Sequence, residues 1–221
     1  NAVATTISAA DATAGLTVIS NNSTAVTVTG GSGNDVVTFT ENTAASNKFV
    51  GGAGDDKVTF SATLATTDSA SGGAGTDTLI IEDDANATGY TTPSTRTIDG
   101  FEKLEIGSAL AASLTVANIQ EGITEVIFDD DVATGLTLTL EAGDQQVEFE
   151  AAAFADGESF TVADTGSATN DSLTFENGLA TGSVWTDVDL TINGFETFTV
   201  LTTATGAAST QNIDGITMTP D

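Results

Sequence analysis

Gly51-Gly52-Ala53-Gly54-Asp55-Asp56-Lys57-Val58-Thr59 decides the fold, because the same nine-residue phrase stands once before it and once after it. The earlier copy is Gly30-Gly31-Ser32-Gly33-Asn34-Asp35-Val36-Val37-Thr38, and the later one is Gly72-Gly73-Ala74-Gly75-Thr76-Asp77-Thr78-Leu79-Ile80. Each begins 21 residues after the last. A lone Gly-rich hexamer would mean little. Three copies in register mark a stacked solenoid, in which one coil cannot bury its apolar face without its neighbours. The residues after each turn repeat as well. Val37 and Phe39, Val58 and Phe60, and Leu79 and Ile81 alternate along a strand, so each pair shares a face. Stacking lays them in a Val/Val/Leu column and a Phe/Phe/Ile column, with Val28, Phe49 and Ala70 as a third on the entry side.

All three copies fit G-G-x-G-x-D-x-U-x, and on these residues the chain resembles the RTX (repeats-in-toxin) family of secreted proteins, whose nonapeptide turns bind calcium. The resemblance implies an all-β fold, a right-handed parallel β-roll or β-solenoid with calcium-binding turns. It also implies a ligand set: the Asp35, Asp56 and Asp77 carboxylates with carbonyls of the glycines around them, Gly30, Gly31 and Gly33, Gly51, Gly52 and Gly54, and Gly72, Gly73 and Gly75. The chemistry is coherent. Glycine admits positive φ, so a tight turn can aim its carbonyls at one point. Calcium takes about six to eight oxygens, more than one turn supplies, so a second turn stacked on the first completes the shell. Two nonapeptides make an 18-residue coil in the family's simplest form. Here only one side of each coil carries the phrase, which predicts a single column of ions.

A longer repeat is fainter. Asp77-Thr78-Leu79-Ile80-Ile81-Glu82 resembles Asp171-Ser172-Leu173-Thr174-Phe175-Glu176, and Ile98-Asp99-Gly100-Phe101-Glu102 resembles Ile192-Asn193-Gly194-Phe195-Glu196, both at an offset of 94. The later copy keeps Asp171 but lacks the glycines, so it reads as a decayed turn that need not hold an ion; the Phe of the second phrase reads as a core anchor. Between the copies, β-rich runs at 103–106, 113–116, 125–128, 136–140 and 146–149 recur about every 11 residues. Two runs per coil recover the interval of the turns. The expected organisation is therefore a calcium-binding roll over 1–96 and a degenerate solenoid over 97–221 that continues the stack, with a β-sandwich as the competing arrangement of such short strands.

A formal net charge of −28, with only Lys48, Lys57, Arg96 and Lys103 basic, argues against nucleic acid or an anionic membrane as partner. Such a chain repels itself, and divalent cations relieve that repulsion. No apolar run approaches the ~20 residues of a membrane span. The absence of Cys removes disulfide and thiolate chemistry, and with no His either, the common Ser-His-Asp, Cys-His and His-ligated zinc sites are ruled out. A calcium-dependent enzyme acting on polysaccharide would need a cationic base or clamp, for which one Arg and three Lys are thin material. The expectation is no enzyme. Starting at Asn1 without Met or a signal peptide, the chain reads as a processed product or a piece of a longer one.

Other candidates have bland counterparts. Asp129-Asp130-Asp131 and Glu82-Asp83-Asp84 could hold further cations, but acidic loops are more often simply solvated. Asp55 could add a carboxylate to its turn. Trp185 and Tyr90 could stack on a sugar, although single aromatics usually pack locally. Asn22-Ser23-Thr24, Asn86-Ala87-Thr88 and Asn170-Asp171-Ser172 fit the weak glycosylation pattern.

The Thr/Ala/Gly-rich, Lys-poor, Cys-free composition and the mixture of GGxGxD turns with degenerate coils are similar to the type-I-secreted RTX proteins of bacterial surface layers. That resemblance implies secretion to the cell surface and self-association into a lattice, with cell-surface polysaccharide as a further partner. Calcium would rigidify the roll and promote assembly. The alternative is an RTX adhesin or biofilm-matrix module.

Overall fold

The computed structural model describes residues 5–40, 46–62, 64–82, 97–150, 158–178, 188–202 and 213–220. Numbered in chain order, the even strands lie on one side of a parallel β-solenoid. They are β2 (Thr17–Ser20), β4 (Val36–Phe39), β6 (Lys57–Phe60), β8 (Thr78–Ile81), β10 (Lys103–Ile106), β12 (Glu125–Phe128), β14 (Gln145–Phe149), β16 (Ser172–Asn177) and β18 (Thr197–Thr202). They form one nine-stranded sheet in that order. The odd strands form two five-stranded sheets. The first holds β1 (Thr5–Ser8), β3 (Val26–Thr29), β5 (Lys48–Ala53), β7 (Ser69–Ala74) and β9 (Thr97–Asp99). The second holds β11 (Leu114–Thr115), β13 (Leu136–Leu140), β15 (Ser159–Asp164), β17 (Val188–Asn193) and β19 (Ile213–Thr219).

Every pairing between these strands is parallel, as coils stacked in one direction require and hairpin-linked strands would not give. The nine-stranded sheet includes strands from both expected regions, β8 pairing directly with β10. The sequence dictates these strands through strict alternation of apolar and Thr-rich positions, Val26-Thr27-Val28-Thr29 being the simplest case, with both valines buried.

The core is a set of columns along the stack. Val18, Val37, Val58, Leu79, Leu104, Val126, Val147 and Phe175 stand in register. Beside them run Phe39, Phe60, Ile81, Ile106, Phe128 and Phe149. Phe39 and Phe60 lie 5.3 Å apart between ring centroids, and Phe128 stacks on Phe149 at 5.5 Å. Such spacings combine area burial with favourable ring–ring geometry. Val28, Phe49, Ala70 and Ile98 form the facing column from the first five-stranded sheet.

The 21-residue interval holds from β4 to β8 and then drifts. Thr78 pairs with Lys103, 25 residues on, and Gln146 with Thr174, 28 residues on. The run expected at 113–116 is a strand only at Leu114–Thr115 and turns into a 3-10 segment, Val116–Asn118, where the odd side changes from one sheet to the other. Among the described residues no helix is long and apolar enough to cross a membrane.

Candidate metal centre

The three Gly-rich phrases stack at one corner of the solenoid, where the chain leaves the first five-stranded sheet and enters the nine-stranded one. Asp35, Asp56 and Asp77 are each fully buried there. Each uses one carboxylate oxygen in a ladder that climbs the stack. Leu16 N–H donates to Asp35 Oδ1 (2.6 Å), Asp35 N–H to Asp56 Oδ1 (2.7 Å), and Asp56 N–H to Asp77 Oδ1 (2.7 Å). Asp77 N–H donates to Glu102 Oε2 at 2.8 Å. Glu102 thus supplies the fourth rung, and the Ile-x-Gly-Phe-Glu phrase is a turn in its own right, with Phe101 buried as its anchor. A neutral side chain closes the column: Gln120 bridges both Phe101 backbone groups, accepting from its N–H (3.1 Å) and donating to its carbonyl (2.7 Å).

The second carboxylate oxygens differ. Asp35 Oδ2 accepts from Gly31 N–H at 2.9 Å. Asp56 Oδ2 and Asp77 Oδ2 are buried with no hydrogen-bond partner. A buried, unpaired carboxylate oxygen is costly and asks for a proton or a cation. The glycines shape the space around it. A Cβ on Gly51 would collide with Asp56 Oδ2 and the Gly72 carbonyl, and one on Gly72 with the Gly100 carbonyl, while also lying 2.6 Å from Asp77 Oδ2. Gly30 stands in the same relation to Asp35 Oδ2 and the Gly51 carbonyl. At each turn a carboxylate oxygen and a main-chain carbonyl therefore converge on a space that only hydrogen keeps open. That donor set, hard anionic and carbonyl oxygen, fits a calcium-like cation.

Close approach explains the glycines more fully than backbone freedom does. Gly52, Gly54, Gly73 and Gly75 have positive φ, as the turn chemistry predicts. In the first copy Gly30, Gly31 and Gly33 do not. They are required because their neighbours crowd them: a Cβ on Gly31 would strike the Ala12 carbonyl, and one on Gly33 would lie 2.5 Å from Gly15 N.

Two further ladders share the 21-residue spacing. Asn34 Oδ1 accepts from Asp55 N–H (3.0 Å), and Asp55 Oδ1 from Thr76 N–H (2.9 Å), so Asp55 is a rung at the exposed rim. Before β3, β5 and β7, Val26 N–H donates to Asn47 Oδ1 (3.2 Å) and Asn47 N–H to Asp68 Oδ1 (2.8 Å). Asp68 Oδ2 accepts from Ala65 N–H at 2.8 Å. The sequence reading missed Asn47 and Asp68, although their offset was the available signal.

No basic side chain offsets the buried column among the described residues. Lys57 approaches Glu105 (4.0 Å) and Lys103 pairs with Glu125 (2.6 Å), both on the outer face of the nine-stranded sheet. Burial, and then the charges of Asp35, Asp77 and Asp55, push the Asp56 carboxyl up to about 6, against the lowering effect of the Asp35 N–H. Burial raises Asp77 likewise, with Glu102 and Asp55 adding to it.

A pH dependence follows. A carboxyl raised in the fold binds its proton more tightly there than in the unfolded chain, so ion-free stability is greatest below about pH 4 and falls as pH climbs through about 6. In chelator, the melting temperature followed by circular dichroism is expected to rise on acidification from pH 7 to 5. In millimolar calcium the rise should shrink or reverse, because protons compete for the same oxygens. A chelated protein whose melting temperature falls over that window contradicts this account.

The remaining candidates separate. Asp129, Asp130 and Asp131 are exposed, in keeping with a solvated loop. Asp83, Asp84, Tyr90 and Trp185 and the Asn86 motif lie outside the described residues. No group of three or more acidic, His or Cys side chains converges among the described residues, so a cation at the Gly-rich corner would draw on carbonyls and water for most of its shell. No family model matches the chain, and no curated protein or solved structure matches it significantly.

Proposed function

We propose that this chain is a structural, calcium-binding β-solenoid of a bacterial surface layer, secreted to the cell exterior and not an enzyme. The observation that carries the cation reading is the buried Asp35–Asp56–Asp77 column, with its two unpartnered oxygens facing glycine carbonyls and, among the described residues, no basic side chain against it. The opposite corner supports a single column, because both Asp68 oxygens there are taken by backbone N–H groups. Calcium neutralises the column and fixes each turn on the next, and so stiffens a fold in which each coil contacts only its neighbours.

Self-association is supported by the outer face of the stack. On the outer face of the nine-stranded sheet, Glu148 and Glu150 stand beside the Lys57–Glu105 and Lys103–Glu125 pairs in an open depression of about 480 Å³, and their unbalanced charge suits cation bridging between neighbours. Electron microscopy of the purified chain is the test. Ordered two-dimensional sheets are expected in millimolar calcium and none in chelator. A chain that stays monomeric in calcium overturns the lattice and favours the adhesin or matrix module.

A further inference from the structure

We propose that a second divalent-cation site lies outside the Gly-rich turns, at Asp171 and Glu196. It takes the identity of its ion from the reading of those turns, but it stands on different residues. Its geometry is a near copy of the Asp77–Glu102 rung. Asp77 N–H donates to Glu102 Oε2 at 2.8 Å, and Asp171 N–H donates to Glu196 Oε2 at 2.8 Å. The Asp77 carbonyl accepts from Glu102 N–H (3.2 Å) and Lys103 N–H (3.0 Å), and the Asp171 carbonyl from Glu196 N–H (3.0 Å) and Thr197 N–H (3.2 Å). Gly100 and Gly194 both turn the chain at positive φ, 69° and 90°, ahead of the buried Phe101 and Phe195.

The later rung keeps the unpartnered Asp oxygen of the earlier one and adds a second from its Glu. Asp171 is 3 % exposed, and its Oδ2 is buried without a partner. Glu196 Oε1 is buried without a partner too, so this corner holds two unsatisfied carboxylate oxygens from two acids joined by a hydrogen bond. Lys103, which follows Glu102, is replaced at the equivalent place by Thr197, and no Lys, Arg or His occurs anywhere after Lys103. Neither acid has an ion pair with a basic side chain among the described residues. Two carboxylates completed by water suit calcium, which tolerates irregular shells, better than magnesium, which demands a near-ideal octahedron. The loss of the glycines thus removes the signature of a turn but not the oxygens.

Hydrogen exchange of the full chain, read by mass spectrometry in calcium, in magnesium and in chelator, tests the site. Calcium is expected to slow exchange in β16 and β18 by on the order of tenfold or more, with magnesium much weaker. Asp171→Asn and Glu196→Gln keep an acceptor oxygen and remove one charge. Each is expected to abolish the slowing in β16 and β18 while β4, β6 and β8 respond as before. Slowing that persists in both variants, or a wild-type chain in which only β4, β6 and β8 respond, overturns this site alone. A wild-type chain in which no strand responds overturns the turn reading with it. Should the variants not fold, the calcium midpoints of the wild-type strands decide: a distinct midpoint for β16 and β18 supports the site, and one shared with β4–β8 overturns it.

Discussion

Chelating calcium at neutral pH is expected to unfold the coils from Val26 to Ile81 before any other part of the solenoid. In those coils Asp35, Asp56 and Asp77 are fully buried on successive rungs, and the charges of Asp35 and Asp77 disfavour ionised Asp56. A cation there acts as a ligand of the folded state alone, worth about 2.7 kcal/mol per site at a hundredfold excess over its dissociation constant. Its removal both withdraws that term and restores the repulsion. Between Glu102 and Asp171 no acidic residue is buried among the described residues. The neutral Gln120 ends the charged column, and Phe128, Phe149 and Phe175 continue the packed core, Phe149 and Phe175 lying 5.4 Å apart edge to face. Since a solenoid's stability is a sum of local coil and interface terms, loss at one end need not spread at once. Far-UV circular dichroism should lose part of its β signal in chelator, and exchange should accelerate first in β3 to β8. A spectrum and exchange pattern unchanged by excess chelator would remove the cation from the account of this fold.

Much of this architecture was legible from one interval. The 21-residue spacing placed Val37, Val58 and Leu79 in one column and Phe39, Phe60 and Ile81 in another, and the strands pair in that register. Side-chain period and coil length together leave no other face for them. What escaped the reading depends on contacts between coils. Whether an Asp oxygen meets an N–H of the coil below is decided by the stacking distance and not by the phrase, so the carboxylate–amide ladder was not visible. Asn47 and Asp68 form such a ladder with no glycine to announce it. Glu102 serves as a rung 25 residues after Asp77, its longer side chain reaching the same N–H across an expanded coil. The glycines of the first turn were legible as glycines but for an incomplete reason, because crowding by Ala12 and Gly15, and not positive φ, demands them.

Asp56 separates the two jobs of the column, and its variants are expected to move stability in opposite directions. Asp56→Asn keeps an oxygen for the Asp35 N–H and removes the charge. The gap between an ordinary Asp and a carboxyl near 6 corresponds to on the order of 2–3 kcal/mol of penalty at neutral pH. In chelator at pH 7 the Asn variant should therefore melt several degrees above the parent, at roughly 2–4 °C per kcal/mol for a chain of this size. In calcium the order should invert, because the variant no longer supplies an anionic ligand. Asp56→Ala has no such compensation. It strands the Asp35 N–H in the interior, which costs about 1–3 kcal/mol, and it should destabilise the chain with or without the ion. Its loss in calcium should also exceed that of Asp35→Ala or Asp77→Ala. Asp56 alone has a Gly-rich turn on both sides, and its free oxygen faces the Gly72 carbonyl across a space Gly51 leaves open. Equal losses at the three positions would mean that the turns act independently. An Asn variant that melts below the parent in chelator would mean that the buried charge is already balanced within the protein, and the need for a cation at this corner would disappear with it.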